Sequence, residues 1–277
     1  MPISKILIGG IAILGAAGLA LNGYIKLPGQ QEPASAADKF AAHRLGYLPL
    51  SALPDAKALL PPPPAADSAA MAVDERARKA ALPLRGTPRY ALAAADAVRA
   101  PENTARAFQC AFGMEISRER TPKLYELLSR VRLDARAATY SAKGHFRRPR
   151  PFAVHQARSC YPPDDQMVHD DGSYPSARAA VGWAYALVLA GLRPDRRDII
   201  LQRGRDFGQS RVVCDLEWQS DVDAGRTIAT VTVGRMEANE AFRTDREIAR
   251  REVAAAGAAG AKPPAECNSE RAILASR

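Results

Sequence analysis

Aromatic side chains are scarce in this chain: Phe, Trp and Tyr supply 6% of 277 residues, while alanine recurs along its whole length. Strand sandwiches draw on β-branched and aromatic residues, whereas alanine favours closely packed helices, so a mostly helical domain is expected. Long apolar runs are few. Beyond the amino terminus the best candidate, 179–192, is too short to cross a bilayer, which excludes a polytopic membrane protein. The cysteines, Cys110, Cys160, Cys214 and Cys267, lie far apart. The absence of close Cys-x-x-Cys pairs argues against zinc. Two disulfides in an oxidising compartment fit these four, with the pairing open among three connectivities; buried free thiols are the other reading. Histidine is equally rare, confined to His43, His145, His155 and His169.

Apolar residues at 47% and charged residues at 25% are ordinary for a globular protein and allow a sizeable core in one large domain or two small ones. Positive charge is in excess, with a net charge of +9 and a pI near 9.6. Such a balance suits an acidic partner: nucleic acid, a membrane surface or phosphorylated small molecules. The basic residues lack the interleaved aromatics that stack on nucleotides, which argues against nucleic acid. One concentrated cluster stands out, Lys143, His145, Arg147, Arg148 and Arg150.

Lys5 is followed by an unbroken small and apolar run from Ile6 to Leu21, then by polar, proline-bearing chain. That pattern is an export signal, either cleaved near Ala34–Ser35–Ala36 or retained as an amino-terminal membrane anchor. Residues 37–66 carry the Pro61–Pro64 run and should form an extended arm over the surface. Helical patterns follow over Ser68–Ala81, Pro88–Ala97, Asn103–Phe112 and Thr121–Arg136, the last with Leu124, Leu127, Leu128 and Val131 on one face. Further helices are expected at Ser173–Leu192, Asp195–Gly208, from Trp218 through Ile228, and over Met236–Ala255. The organisation expected is a signal or anchor over 1–36, the arm, a helical domain over 67–257, and a loose tail over 258–277.

Three short stretches carry the chemistry: KGHFRRPRP over Lys143–Pro151, YPSAR over Tyr174–Arg178, and SRVVCDLEWQSD over Ser210–Asp221. Lys143, Arg150 and Arg211 offer cations for an oxyanion, Arg as a fork and Lys as a point charge. Ser176 adds a hydroxyl and also fits a helix cap. A helix opening after Pro175 would turn backbone amides toward an anion.

In order and spacing these stretches resemble the three-part signature KxxxxxxRP, PSGH, SRxxxxxHxxxD of the type 2 phosphatidic acid phosphatase superfamily, which includes the vanadium haloperoxidases. The chain is most similar to the bacterial class A nonspecific acid phosphatases. The resemblance also takes in LPPPPAADSAA, TPRYALAAADA, RTPKLYELL and GQSRVVC, and covers Leu48 to Arg251. It implies an all-α single bundle, a periplasmic or secreted location, and hydrolysis of phosphomonoesters with neither metal nor cofactor. It further implies that Lys143, Arg150, Ser176, Ala177 and Arg211 surround phosphate.

Two signature histidines are replaced. The nucleophile position is Glu217 and the general-acid position is Arg178, while Asp221 stands where the family orients its nucleophile. Arginine stays protonated at any working pH and cannot protonate a leaving group. Ala177 replaces a glycine, which matters if that residue needs positive φ. Glu217 and Asp221, one turn apart on a helical face, should repel or share a proton. An ion pair between Arg178 and Glu217 across the former active site is also expected. His145 and His169 are the histidines nearest the motifs in sequence.

The expectation is thus an exported family member that keeps a phosphate cradle but is inactive or strongly impaired; the alternative is an active periplasmic acid phosphatase. Natural drift and deliberate silencing would leave the same three changes. A haloperoxidase would need the same missing histidine. Phosphate or a small phosphomonoester is the expected partner, with membrane contact only through an uncleaved anchor and the oligomeric state open.

Overall fold

The computed structural model describes residues 46–168 and 171–275. The export segment with its cleavage site, the start of the arm, His43 and His169 lie outside them. The described chain is all-α, with helices α1 (Ala69–Ala81), α2 (Pro88–Ala97), α3 (Pro122–Ala137), α4 (Tyr140–Phe146), α5 (Ala177–Leu192), α6 (Arg197–Val213), α7 (Gln219–Glu237), α8 (Glu240–Ala258) and α9 (Cys267–Ala275). Short helical turns at Ala56–Leu59, Pro101–Arg106, Gln109–Phe112, Pro151–Val154 and Pro162–Val168 link them.

Local chemistry fixes most starts. Ser68, Ser176 and Asn239 accept hydrogen bonds from Met71 N (3.1 Å), Ala179 N (2.9 Å) and Phe242 N (3.0 Å), capping α1, α5 and α8. Each such cap stabilises a helix by about 1 kcal/mol. Pro88 and Pro122 sit at first helical positions, where a missing N–H leaves nothing unsatisfied.

Helix α5 is the hub. It packs against α6, α7 and α3, while α8 lies on α3 and α2 on α6. Nearly every side chain of α5 from Ala179 to Leu192 is buried, which is why its sequence is apolar all round rather than striped. Close approach depends on glycines. A Cβ on Gly182 would collide with the Phe207 ring of α6, and one on Gly225 of α7 would collide with the Ser176 carbonyl. The second contact holds the start of α7 against the turn that opens α5.

The arm is pinned by side chains far along the chain. Tyr47 and Leu48, both buried, donate their backbone N–H groups to Asp134 Oδ2 (2.8 and 3.3 Å). The Tyr47 hydroxyl donates to Asp245 (2.9 Å), Asn239 donates to the Tyr47 carbonyl (2.9 Å), and the Tyr174 hydroxyl donates to Pro61 O (2.7 Å).

Several expectations change. The helix expected over 103–112 is two turns, Pro101–Arg106 and Gln109–Phe112. Helix α5 starts at Ala177 rather than Ser173, because the chain bends at Tyr174 and Pro175 before Ser176 caps the helix. The tail is not loose: α8 runs to Ala258, and α9 is bound through the Cys110–Cys267 disulfide and an ion pair between Arg203 and Glu270 (3.2 Å). The second disulfide joins Cys160 to Cys214, so all four cysteines are paired. Among the described residues, no helix is long and apolar enough to cross a membrane.

Candidate functional site

The three motif stretches meet at the amino-terminal end of α5. Lys143 comes from α4, Arg150 from the loop after it, Ser176 to Arg178 from the start of α5, and Arg211 and Glu217 from the end of α6 and the turn into α7. A pocket of about 440 Å³, counted out to its mouth, opens there. Six cations line it: Arg99, Arg136, Lys143, Arg150, Arg178 and Arg211. Two carboxylates, Asp171 and Glu217, and the polar ring of Tyr140 complete its charged and polar lining.

Glu217 lies at the centre of the inner wall and is 2% exposed. One of its oxygens takes Arg150 Nη1 at 3.2 Å; the other takes Arg211 Nε at 3.1 Å and the Ser176 hydroxyl. Burial alone would raise this carboxyl, but Arg211, Arg150 and Lys143 outweigh it and hold it down at about 2. The carboxylate is therefore anionic at every physiological pH. Its oxygens thus occupy donors of Arg150, Arg211 and Ser176.

The remaining donors are distributed unevenly. Arg150 Nε donates to the carbonyls of Val168 (3.0 Å) and Asp171 (3.1 Å), and Nη1 also reaches Leu216 O (2.9 Å), so this guanidinium is nearly saturated by backbone. Lys143, 6% exposed, donates to the carbonyls of Gly172 and Ser173. Burial, then the neighbouring Arg150, lowers its ammonium to about 8. Arg211 differs: it is 2% exposed, yet its Nη1 has no hydrogen-bond partner. A buried guanidinium N–H without an acceptor is expensive, and one lining a pocket asks for an anion.

The expected ion pair across the site does not form. Arg178 turns the other way and donates to Thr104 Oγ1 (3.1 Å) and to the carbonyls of Asp96 (2.6 Å) and Val98 (2.9 Å), with its guanidinium 5.2 Å from the Phe207 ring centre. Glu217 meanwhile is neutralised by two nearer arginines. Asp221 is also differently employed. It stands in the first turn of α7 while Glu217 precedes that helix, so the two do not share a helical face. Asp221 accepts from Arg148 Nη1 (2.6 Å) and from Trp218 N (2.8 Å), capping α7. Each carboxylate thus has its own cation, and no proton is shared between them. Burial pushes Asp221 up to about 6, with Arg148 opposing. Ala177 takes an ordinary helical position without positive φ, so its methyl is tolerated.

Arg148, 6% exposed, is the site residue that motif reading passed over. It also pairs with Asp74 (2.7 Å) and donates to Ser220 (2.7 Å), tying α1 to α7 beneath the pocket. Its signal was its place inside the basic nonapeptide. Arg99, Arg136 and Tyr140 carried no motif signal at all. His145 is exposed and stacked edge-on against Phe146, and His155 bonds to Glu75 at 2.9 Å. Neither lines the pocket.

Residues 130–238 match the model of the PAP2 superfamily. The chain is 41% identical over 211 residues to a non-specific acid phosphatase of Providencia stuartii, covering 76% of this chain and 85% of that protein. It is 39% identical over 195 residues to a non-specific acid phosphatase of Salmonella typhi, covering 70% and 78%. An acid phosphatase of Zymomonas mobilis is 36% identical over 194 residues, covering 70% and 74%. With a PAP2 match spanning all three motif-bearing helices of the pocket's inner wall and such identity over most of both chains, the protein belongs to the non-specific acid phosphatases of the PAP2 superfamily.

Proposed function

We propose that this protein is a noncatalytic member of its family that binds phosphate or a small phosphomonoester in the cationic pocket. The observation that carries this is Glu217, fixed as an anion between Arg150, Arg211 and Ser176. A carboxylate held by two guanidiniums is a poor nucleophile, and its charge repels an approaching phosphate. Arg178 cannot serve as a general acid. The ligand meets Lys143, the spare Arg211 Nη1 and the outer cations. Two disulfides support an exported protein working in an oxidising compartment.

The alternative, an active acid phosphatase of the kind its relatives are named for, draws support from the convergence of Lys143, Arg150 and Arg211 on one pocket, with Ser176 bonded to Glu217 in its lining. Hydrolysis of a chromogenic phosphomonoester between about pH 4 and pH 8 separates the two readings. The protein is expected to be silent, and the double variant Arg178→His/Glu217→His to be active by a factor of at least about 10². Comparable turnover in both would overturn the noncatalytic reading.

A further inference from the structure

Lys143 differs from the other cations of the pocket in what it touches. It comes from the last turn of α4, lines the pocket and is 6% exposed. Among the described residues its amine bonds to neutral groups, the carbonyls of Gly172 and Ser173, the second at 3.4 Å. The two carboxylates of the lining pair with arginines instead: Glu217 with Arg150 (3.2 Å) and Arg211 (3.1 Å), and Asp171 with Arg150 (3.9 Å). A buried ammonium held by carbonyls beside a guanidinium gives up its proton more readily than one in water. Burial and Arg150 lower it, Asp171, Glu217 and Asp221 oppose them, and the outcome is about 8.

Part of Lys143 is therefore free amine near neutral pH. A free amine has two N–H groups, and the two carbonyls accept both, which leaves the nitrogen lone pair unbonded. Desolvation and an adjacent cation are the conditions that make a lysine a nucleophile toward carbonyl compounds. Lys57, Lys79, Lys123 and Lys262, by contrast, are exposed. The other half of the site is Arg211, which lines the same pocket with a buried Nη1 that has no hydrogen-bond partner. A ligand that suits both residues carries a phosphoryl group for the guanidinium and an electrophilic carbon for the amine.

We infer that the pocket captures short phosphorylated aldehydes as a reversible imine on Lys143, with the phosphoryl group on Arg211, an inference that rests on the phosphate binding proposed above. The Nζ lone pair attacks the aldehyde carbon, and the π pair of the C=O bond moves to oxygen. The aldehyde oxygen then leaves as water with both amine hydrogens as the C=N bond forms, and nothing is oxidised or reduced. Solvent returns one proton to the imine nitrogen, and that N–H stays on the Gly172 carbonyl. The bond given up is the longer one, to Ser173.

The test is to incubate the full chain with glycolaldehyde phosphate, reduce with borohydride to fix any imine as a secondary amine, and locate the label by peptide mass spectrometry. Lys143 is expected to be labelled at least about 10-fold faster than by unphosphorylated glycolaldehyde, the worth of a charge-assisted hydrogen bond to the phosphoryl group. Orthophosphate should suppress the label on Lys143 while leaving that on Lys57, Lys79 and Lys123 unchanged. Arg211→Gln should slow labelling of Lys143 by a similar factor, and Lys143→Arg should abolish it. An unlabelled Lys143 in a protein that binds orthophosphate by calorimetric titration would overturn the imine and leave phosphate binding intact. A label on Lys143 that orthophosphate does not suppress, or the absence of both label and orthophosphate binding, would overturn this inference and the phosphate-binding reading together.

Discussion

Glu217 performs two tasks that pull apart on substitution. It neutralises Arg150 and Arg211 inside a wall that is 2–3% exposed, and it occupies donors that an anion could use. Glu217→Gln leaves two buried guanidiniums without their charge partner, a change that typically destabilises a fold by about 3–5 kcal/mol. Added phosphate then replaces the lost charge. A thermal melt of Glu217→Gln is expected to fall well below that of the parent without phosphate and to recover more steeply than the parent as phosphate is added. A phosphate response no larger than that of the parent would mean that the carboxylate does not compete for the cradle. Arg178 illustrates a different limit of residue-level inference. Charge complementarity in the sequence paired it with Glu217, but three acceptors near the end of α2 and in the turn after it lie within its reach, and they win.

Among the elements, those with explicit punctuation were legible. Ser68, Pro88 and Thr121 mark starts that the structure keeps within a residue, and the apolar length of α5 marks the buried hub, whereas the helix expected from Met236 begins only after the Asn239 cap. Helix α4 was not legible, because its carboxyl-terminal half is the basic stretch that reads as a loop, ended by Arg147 in a left-handed conformation. Helix α9 escaped for another reason. It is short and amphipathic, and its position is set by Cys110, 157 residues upstream, a link that spacing alone leaves open. Cys267→Ser should release α9 and its Glu270 contact with Arg203, lowering stability by about 2–5 kcal/mol. Limited proteolysis should then trim the chain after α8; resistance equal to that of the parent would show that packing alone holds the last helix.

For the whole molecule, two buried carboxyls with opposite shifts shape stability against pH. Glu217, held near 2, contributes stability that is present above the ordinary glutamate range and is lost as pH falls toward 2. Asp221, raised to about 6, acts in the other direction: stability present below the ordinary aspartate range declines as pH rises through 6. Denaturant midpoints should therefore decline from about pH 4 to pH 7 on account of Asp221, and Asp221→Asn should flatten that limb. An unchanged slope would mean that Arg148 keeps Asp221 ionised throughout. The three motifs, all on one side of the pocket, were legible because their chemistry is local in sequence. The rest of the lining was not, since Arg136 joins Arg211 in one pocket only through the packing of α3 on α5. The arm carries a consequence for the order in which the chain becomes fixed. Tyr47 leaves the ribosome early, yet its partners Asp134, Asn239 and Asp245 come 87 to 198 residues later. The contacts of Tyr47 with Asn239 and Asp245 can thus close only once α8 has been made, which places the docking of this part of the arm among the last events of folding.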